Sequence, residues 1–208
     1  MANLKDIRDR IVSVKNTRKI TEAMRLVAAA KVRRAQDQVL RSRPFADRLA
    51  RVLENIQSRM QFEAADSPLL NRREVKTITL LAVTGDRGLC GGFNSSINRE
   101  TFKLVKSLEK DGKNVQLMPV GKKSRDFFNR VMKDQIVESF VDLNISNSGY
   151  ESALKVSNKL QELYFDSKFD KCIIVFNKFK SAISQEVTQQ QLIPLDVSDS
   201  SEEENADT

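Results

Sequence analysis

The sequence predicts an α/β protein: a long N-terminal coiled-coil helix followed by a small, doubly wound, mainly parallel-sheet domain of about five strands. Three observations predict it. Apolar residues recur at spacings of three and four near the N-terminus, and no glycine occurs before Gly85. A β-branched and aliphatic run, VKTITLLAV, leads directly into a glycine-rich turn. Beyond it, short apolar runs alternate with amphipathic stretches of helical period, the pattern of strands joined by crossover helices.

The helix comes first. Leu4, Ile7, Ile11 and Val14 are spaced three, four and three apart, which is a coiled-coil stripe rather than a strand alternation. Asn3 is a suitable N-cap. The stripe continues less strictly through Ile20, Met24, Val27 and Ala28, where Ala23, Ala29 and Ala30 leave room for a close partner helix, and resumes at Leu49, Val52, Leu53, Ile56 and Met60. Pro44 is the one breaker; it deletes a backbone hydrogen bond and predicts a kink near Arg41–Pro44 without requiring an end. Such a helix is marginal alone in water, so its stripe calls for a partner helix from this chain or another.

The domain follows. Val75–Val83 reads as a buried strand, and a helix over Ser95–Lys110 places Phe102, Val105 and Leu108 on one face before Asp111-Gly112 ends it. Val115–Val120 is a second strand, Lys122–Met132 a helix, Ile136–Val141 a third strand and Gly149–Phe165 a helix. Lys171–Phe176 and Glu186–Leu195 complete five strands. Residues 196–208 are acidic and serine-rich, with a composition that predicts disorder. The expected organisation is a long basic helix over 1–62, an α/β domain over 72–195 and an acidic tail over 196–208.

Charge and composition narrow the function. The formal net charge of +7 conceals a segregated layout: residues 1–62 carry 15 Lys and Arg against 6 Asp and Glu, whereas residues 196–208 carry six acids and no base. Histidine is absent, which removes the commonest general base, histidine-activated nucleophiles and most transition-metal sites. Cys90 and Cys172, the only cysteines, lack metal-ligand spacing and suggest no disulfide framework, in keeping with a reducing compartment. No apolar run is long enough to cross a bilayer, and MANLKDIRDR resembles neither a signal nor a transit peptide.

The turn Gly85–Gly92 (GDRGLCGG) is the most unusual local feature. It stands where doubly wound folds hold phosphates. It matches neither GxGxxG nor GxxxxGK, so a tight, exposed turn serving packing or partner contact is favoured over a nucleotide loop. Cys90 has Arg87 and a helix N-terminus nearby, both of which favour thiolate; the competing reading is a small apolar residue in a crowded turn. Lys31, Arg33, Arg34, Arg41 and Arg43 offer a basic face for nucleic acid, but no aromatic residues or known motif accompany them. Acidic loops of a protein partner suit that face better.

Two blocks carry a resemblance to a known family: IRDRIVSVKNTRKITEAMRLVAAAKVRRAQ with the later SRPFADRL, and VTGDRGLCGGFN. The sequence resembles the gamma subunit, the central stalk, of the F-type ATP synthase, with wording closest to cyanobacterial and chloroplast members. Weaker agreement in VGKKSRDFF, IIVFNKF and QQQLIPL extends it to Leu195. The resemblance implies a non-catalytic rotor subunit that couples ring rotation to ATP synthesis in the catalytic head, with no cofactor and no metal. The implied partners are the alpha and beta subunits of the head, the epsilon subunit and the membrane ring of c subunits, without nucleic acid. The implied location is peripheral, on the cytoplasmic face of a cyanobacterial thylakoid or plasma membrane.

Matched residue by residue, Ile20, Met24 and Arg25 fall where the family's helix meets the levers of the catalytic subunits. Arg87 and Cys90 fall on a loop near the same acidic segments, and Arg41 and Arg43 lie close to the foot. Family members continue past the position of Leu195 into a long C-terminal helix that pairs with the first. The chain stops in SEEENADT, which implies either a fragment or a short form unable to make the coiled coil alone; the plastid cysteine-pair insertion is also absent. The alternatives are a truncated gamma-like interaction protein that binds the complex without transmitting torque, and a small nucleotide-binding α/β protein.

Overall fold

A computed structural model describes residues 3–59, 69, 73–143, 145–181 and 184–195. The chain divides into two compact units, 1–59 and 60–208. The expected tail over 196–208 and the last stripe residue, Met60, lie outside the described residues.

The first unit is a single helix, α1, over Leu4–Arg59. Asn3 caps it as expected: its Oδ1 accepts from the Lys5 amide at 3.3 Å and its carbonyl from the Ile7 amide at 3.2 Å. At 1.5 Å rise per residue α1 is about 84 Å long. Pro44 lies inside it, and the helix continues through to Arg59. None of its described side chains is buried.

The second unit is an α/β layer structure in the order β1 (Thr77–Val83), α2 (Phe93–Lys110), β2 (Asn114–Val120), α3 (Lys122–Val131), a 3-10 turn (Lys133–Gln135), α4 (Ile145–Phe165), β3 (Lys171–Phe179) and β4 (Gln185–Ile193). The sheet order is β2-β1-β3-β4, with β1 parallel to both neighbours and β4 antiparallel to β3. Only five residues separate β3 from β4, too few for a crossover helix, and so these two strands return antiparallel.

Burial on both faces explains why β1 reads as a continuous apolar run. Ile78, Leu80 and Ala82 join Val105 of α2 and Phe128 of α3 in one core. On the opposite face Leu81 joins Met118, Cys172 and the α4 residues Val156, Leu160 and Tyr164 in a second. Cys172 is therefore core, as its place in a strand suggests, and burial pushes its thiol up to about 12.

One expected strand is corrected. Ile136–Val141 does not form a fifth strand; it makes two isolated parallel bridges to β2, Leu117 with Ile136 and Val120 with Phe140. Between the bridges β2 advances three residues and the segment four, so the registers cannot run together. Pro119 is the second cause. Its carbonyl accepts from the Phe140 amide at 2.9 Å, so its backbone nitrogen, which has no hydrogen, faces the same edge. Among the described residues the sheet has four strands, with this bridged segment beyond β2.

Candidate functional site

The turn over 84–92 joins β1 to α2, and its own side chains hold it. The Gly85 amide donates to Asn94 Oδ1 at 2.9 Å, and Asn94 Nδ2 donates to the Arg87 carbonyl at 3.2 Å and to Cys90 Sγ at 3.0 Å. The Phe93 amide donates to the Cys90 carbonyl at 3.2 Å. Asn94 thus clamps the turn from the first turn of α2.

A second clamp runs to α3. Asp86 Oδ1 accepts from the Lys122 amide at 2.8 Å, the Gly85 carbonyl from the Lys123 amide at 3.2 Å, and Thr84 Oγ1 from the Ser124 amide at 2.9 Å. These are the amides at the start of α3 that a phosphate would use. An incoming anion would have to displace the Asp86 carboxylate, which already occupies that helix start. The start of α3 is thus occupied by the chain's own acceptors, Asp86 first among them.

Gly121 lets the two clamps meet. Its φ is +94°, and a Cβ there would stand 2.3 Å from the Thr84 carbonyl oxygen. Only glycine allows that approach without moving Thr84.

Arg87 and Cys90 are brought together on the exposed rim of this turn. The sequence did not single out Leu89 between them. It is 102% exposed and holds a left-handed backbone, φ +60°. The only sign of it in the sequence is an apolar residue in an otherwise polar and glycine-rich turn.

On α1 the structure separates two apolar lines. Leu4, Ile7, Ile11 and Val14 continue at heptad spacing through Ala28, Val32, Ala35, Val39, Ala46 and Leu49, interrupted at Arg18, Thr21, Arg25 and Ser42. Ile20, Met24 and Val27 fall roughly a third of a turn away from that line, on a second face. Ile20 and Met24 are 62% and 59% exposed. Arg25 lies at the heptad line, paired with Glu22 at 2.6 Å, a contact that raises its already high pKa. Arg41 and Arg43 are exposed, with Arg41 about 26 Å farther along the helix than Met24.

Among the described residues no cluster of acids and cysteines is suited to a metal ion, and no helix is long and apolar enough to cross a membrane.

Comparison with known proteins bears on these surfaces. The sequence model of the ATP synthase family matches residues 3–208. The ATP synthase gamma chain of Prochlorococcus marinus strain NATL2A is 61% identical over 207 residues, covering 98% of this chain and 65% of the relative. That of strain MIT 9211 is 55% identical over 206 residues, covering 99% of this chain and 65% of the relative. The chain thus spans slightly less than two thirds of the length of these relatives.

Among solved structures, a chain from the central stalk and c-ring of the Tetrahymena thermophila mitochondrial ATP synthase superposes with a TM-score of 0.65 at 30% identity, over 84% of this chain and 72% of that one. A chain from the rotor of the Euglena gracilis mitochondrial enzyme shares the fold at a TM-score of 0.52 and 18% identity, over 89% of this chain and 61% of that one. With the family model matched along nearly its whole length, the chain belongs to the ATP synthase gamma-chain family.

Proposed function

We propose that the chain is a non-catalytic central-stalk component of an F-type ATP synthase, which transmits rotation of the membrane ring to the catalytic head. The observation that carries this reading is α1, whose long helix bears two apolar lines and has no buried described side chain. The heptad line suits a partner helix. The second face, with Ile20 and Met24, suits the levers of the catalytic subunits, and Arg25 stands beside both.

Arg87 and Cys90 contact the same acidic levers from the α/β domain, and Arg41 and Arg43 lie toward the foot. The partners are the alpha and beta subunits of the head, the epsilon subunit and the ring of c subunits. The work is mechanical: a shaft biases neighbours that have alternative conformations, and the chemistry stays with them. The absence of histidine and the Asp86 carboxylate seated on the start of α3 support a subunit without chemistry of its own. Its place is peripheral to the membrane, on the cytoplasmic face in a cyanobacterial cell.

Binding of the purified chain to an isolated head of alpha and beta subunits tests this. Met24 is exposed, so Met24→Asp leaves the chain folded while removing about one buried side chain from the contact. Binding weaker by about tenfold or more is expected. A wild-type chain that does not bind, or a variant that binds equally, would remove α1 from the proposed contact.

A further inference from the structure

We propose that Leu89 is an apolar anchor through which the turn docks on the catalytic head, entering an apolar pocket bordered by carboxylates. The inference rests on the central-stalk reading above and names the residue and the chemistry of one of its contacts.

A single exposed leucine is ordinary on a protein surface. Leu89 differs because its backbone is also unfavourable. At φ +60° a leucine sits in the left-handed region, where glycine or asparagine is more at ease. Its side chain is fully exposed and buries nothing in return. Within the chain, then, leucine is a poor choice for this position on both counts. Any gain from the side chain comes from a surface outside it.

The surroundings present Leu89 as a firm tip. Gly85 and Arg87 are tied to Asn94, and Asp86 is tied to the start of α3, so the strand, the turn and two helices support the residue from behind. A side chain held in place before contact loses little freedom on docking.

Charge sets the chemistry of the receiving surface. Asp86, the sole carboxylate in the turn, faces inward to the Lys122 amide. Arg87 and Lys123 are exposed, and neither forms an ion pair among the described residues. Lys123 passes the turn closely, its Cε 3.8 Å from where a Cβ on Gly88 would stand. The tip is a leucine flanked by cations. Its complement is an apolar hollow with an acidic border.

Two variants of the full chain test the proposal against an isolated head of alpha and beta subunits. Leu89→Asn removes the apolar tip and suits the left-handed backbone, so the thermal midpoint should be unchanged or higher while binding weakens about tenfold or more. Leu89→Met keeps an apolar side chain of similar volume and should bind within about threefold of wild type. If wild type binds and Leu89→Asn binds equally well, the anchor is refuted while the central-stalk reading stands. Equal losses in Leu89→Asn and Leu89→Met would also refute it, since apolarity would not be what matters. A wild-type chain that fails to bind the head overturns both readings together.

Discussion

Replacing Gly121 by alanine should unfold the α/β domain far more readily than replacing any glycine within the turn it supports. Gly121 has φ +94° and ψ 144°, a region almost reserved for glycine, and an alanine there costs about 1–3 kcal/mol. The added Cβ would lie 2.3 Å from the Thr84 oxygen and 2.8 Å from its carbon, so Thr84 must move by about an ångström to reach ordinary contact. Thr84 is not free to move. Its amide donates to the Val120 carbonyl at 2.8 Å, and its hydroxyl oxygen accepts from the Ser124 amide at 2.9 Å. Losing one of these adds about 1–1.5 kcal/mol. The total is about 2–5 kcal/mol.

Urea unfolding followed through Tyr164 measures it, since that ring is buried with the Arg73 guanidinium 4.2 Å from its centroid. At slopes of about 1–3 kcal/mol per molar, the midpoint should fall by about 0.7 M or more. Gly85→Ala is the control: its Cβ would meet nothing closer than 3.6 Å, and its loss should stay below about 1 kcal/mol. Equal midpoints for the two variants would refute the reasoning.

Other outcomes follow from the same contacts. Ser124 is fully buried but its Oγ has no hydrogen-bond partner among the described residues, so Ser124→Ala should leave stability unchanged or raise it by up to about 1 kcal/mol in the same urea titration. A thiol reagent should titrate one cysteine in the native chain, Cys90, and two in denaturant, because Cys172 is buried. Two rapid equivalents in native buffer would contradict that core. The folded pKa of Cys172 is raised from 9.0 to about 12, so its contribution is intact below pH 9 and declines as pH rises toward 12. Cys172→Ala should lessen that alkaline loss, which chemical denaturation across the range would show.

Much of this was legible from residue pattern. The three-four spacing from Leu4 to Val14 specifies α1, and the β-branched run before Gly85 specifies β1, because each follows from a local period. The Ile136–Val141 segment was misread for a tertiary reason. Its own residues suit a strand, but its pairing depends on which edge of β2 carries Pro119, and orientation across strands is not written locally. The turn is a mixed case. Its glycines are conspicuous, yet the facts that decide its chemistry are spatial: Asp86 turns inward to α3, and Leu89 points out from a left-handed backbone. Pattern marked Ile20 and Met24 as apolar and resemblance marked them as contacts; only the helix geometry shows that they leave the heptad line for a second face.

The central claim concerns where α1 works. The most direct measurement is single-particle imaging of the chain assembled with alpha, beta and epsilon subunits and the membrane ring. The account predicts α1 inside the central hole of the head, with Met24 against a catalytic-subunit lever and the α/β domain seated on the ring. A chain missing from the assembled complex, or bound with α1 on the outer surface of the head, would contradict it.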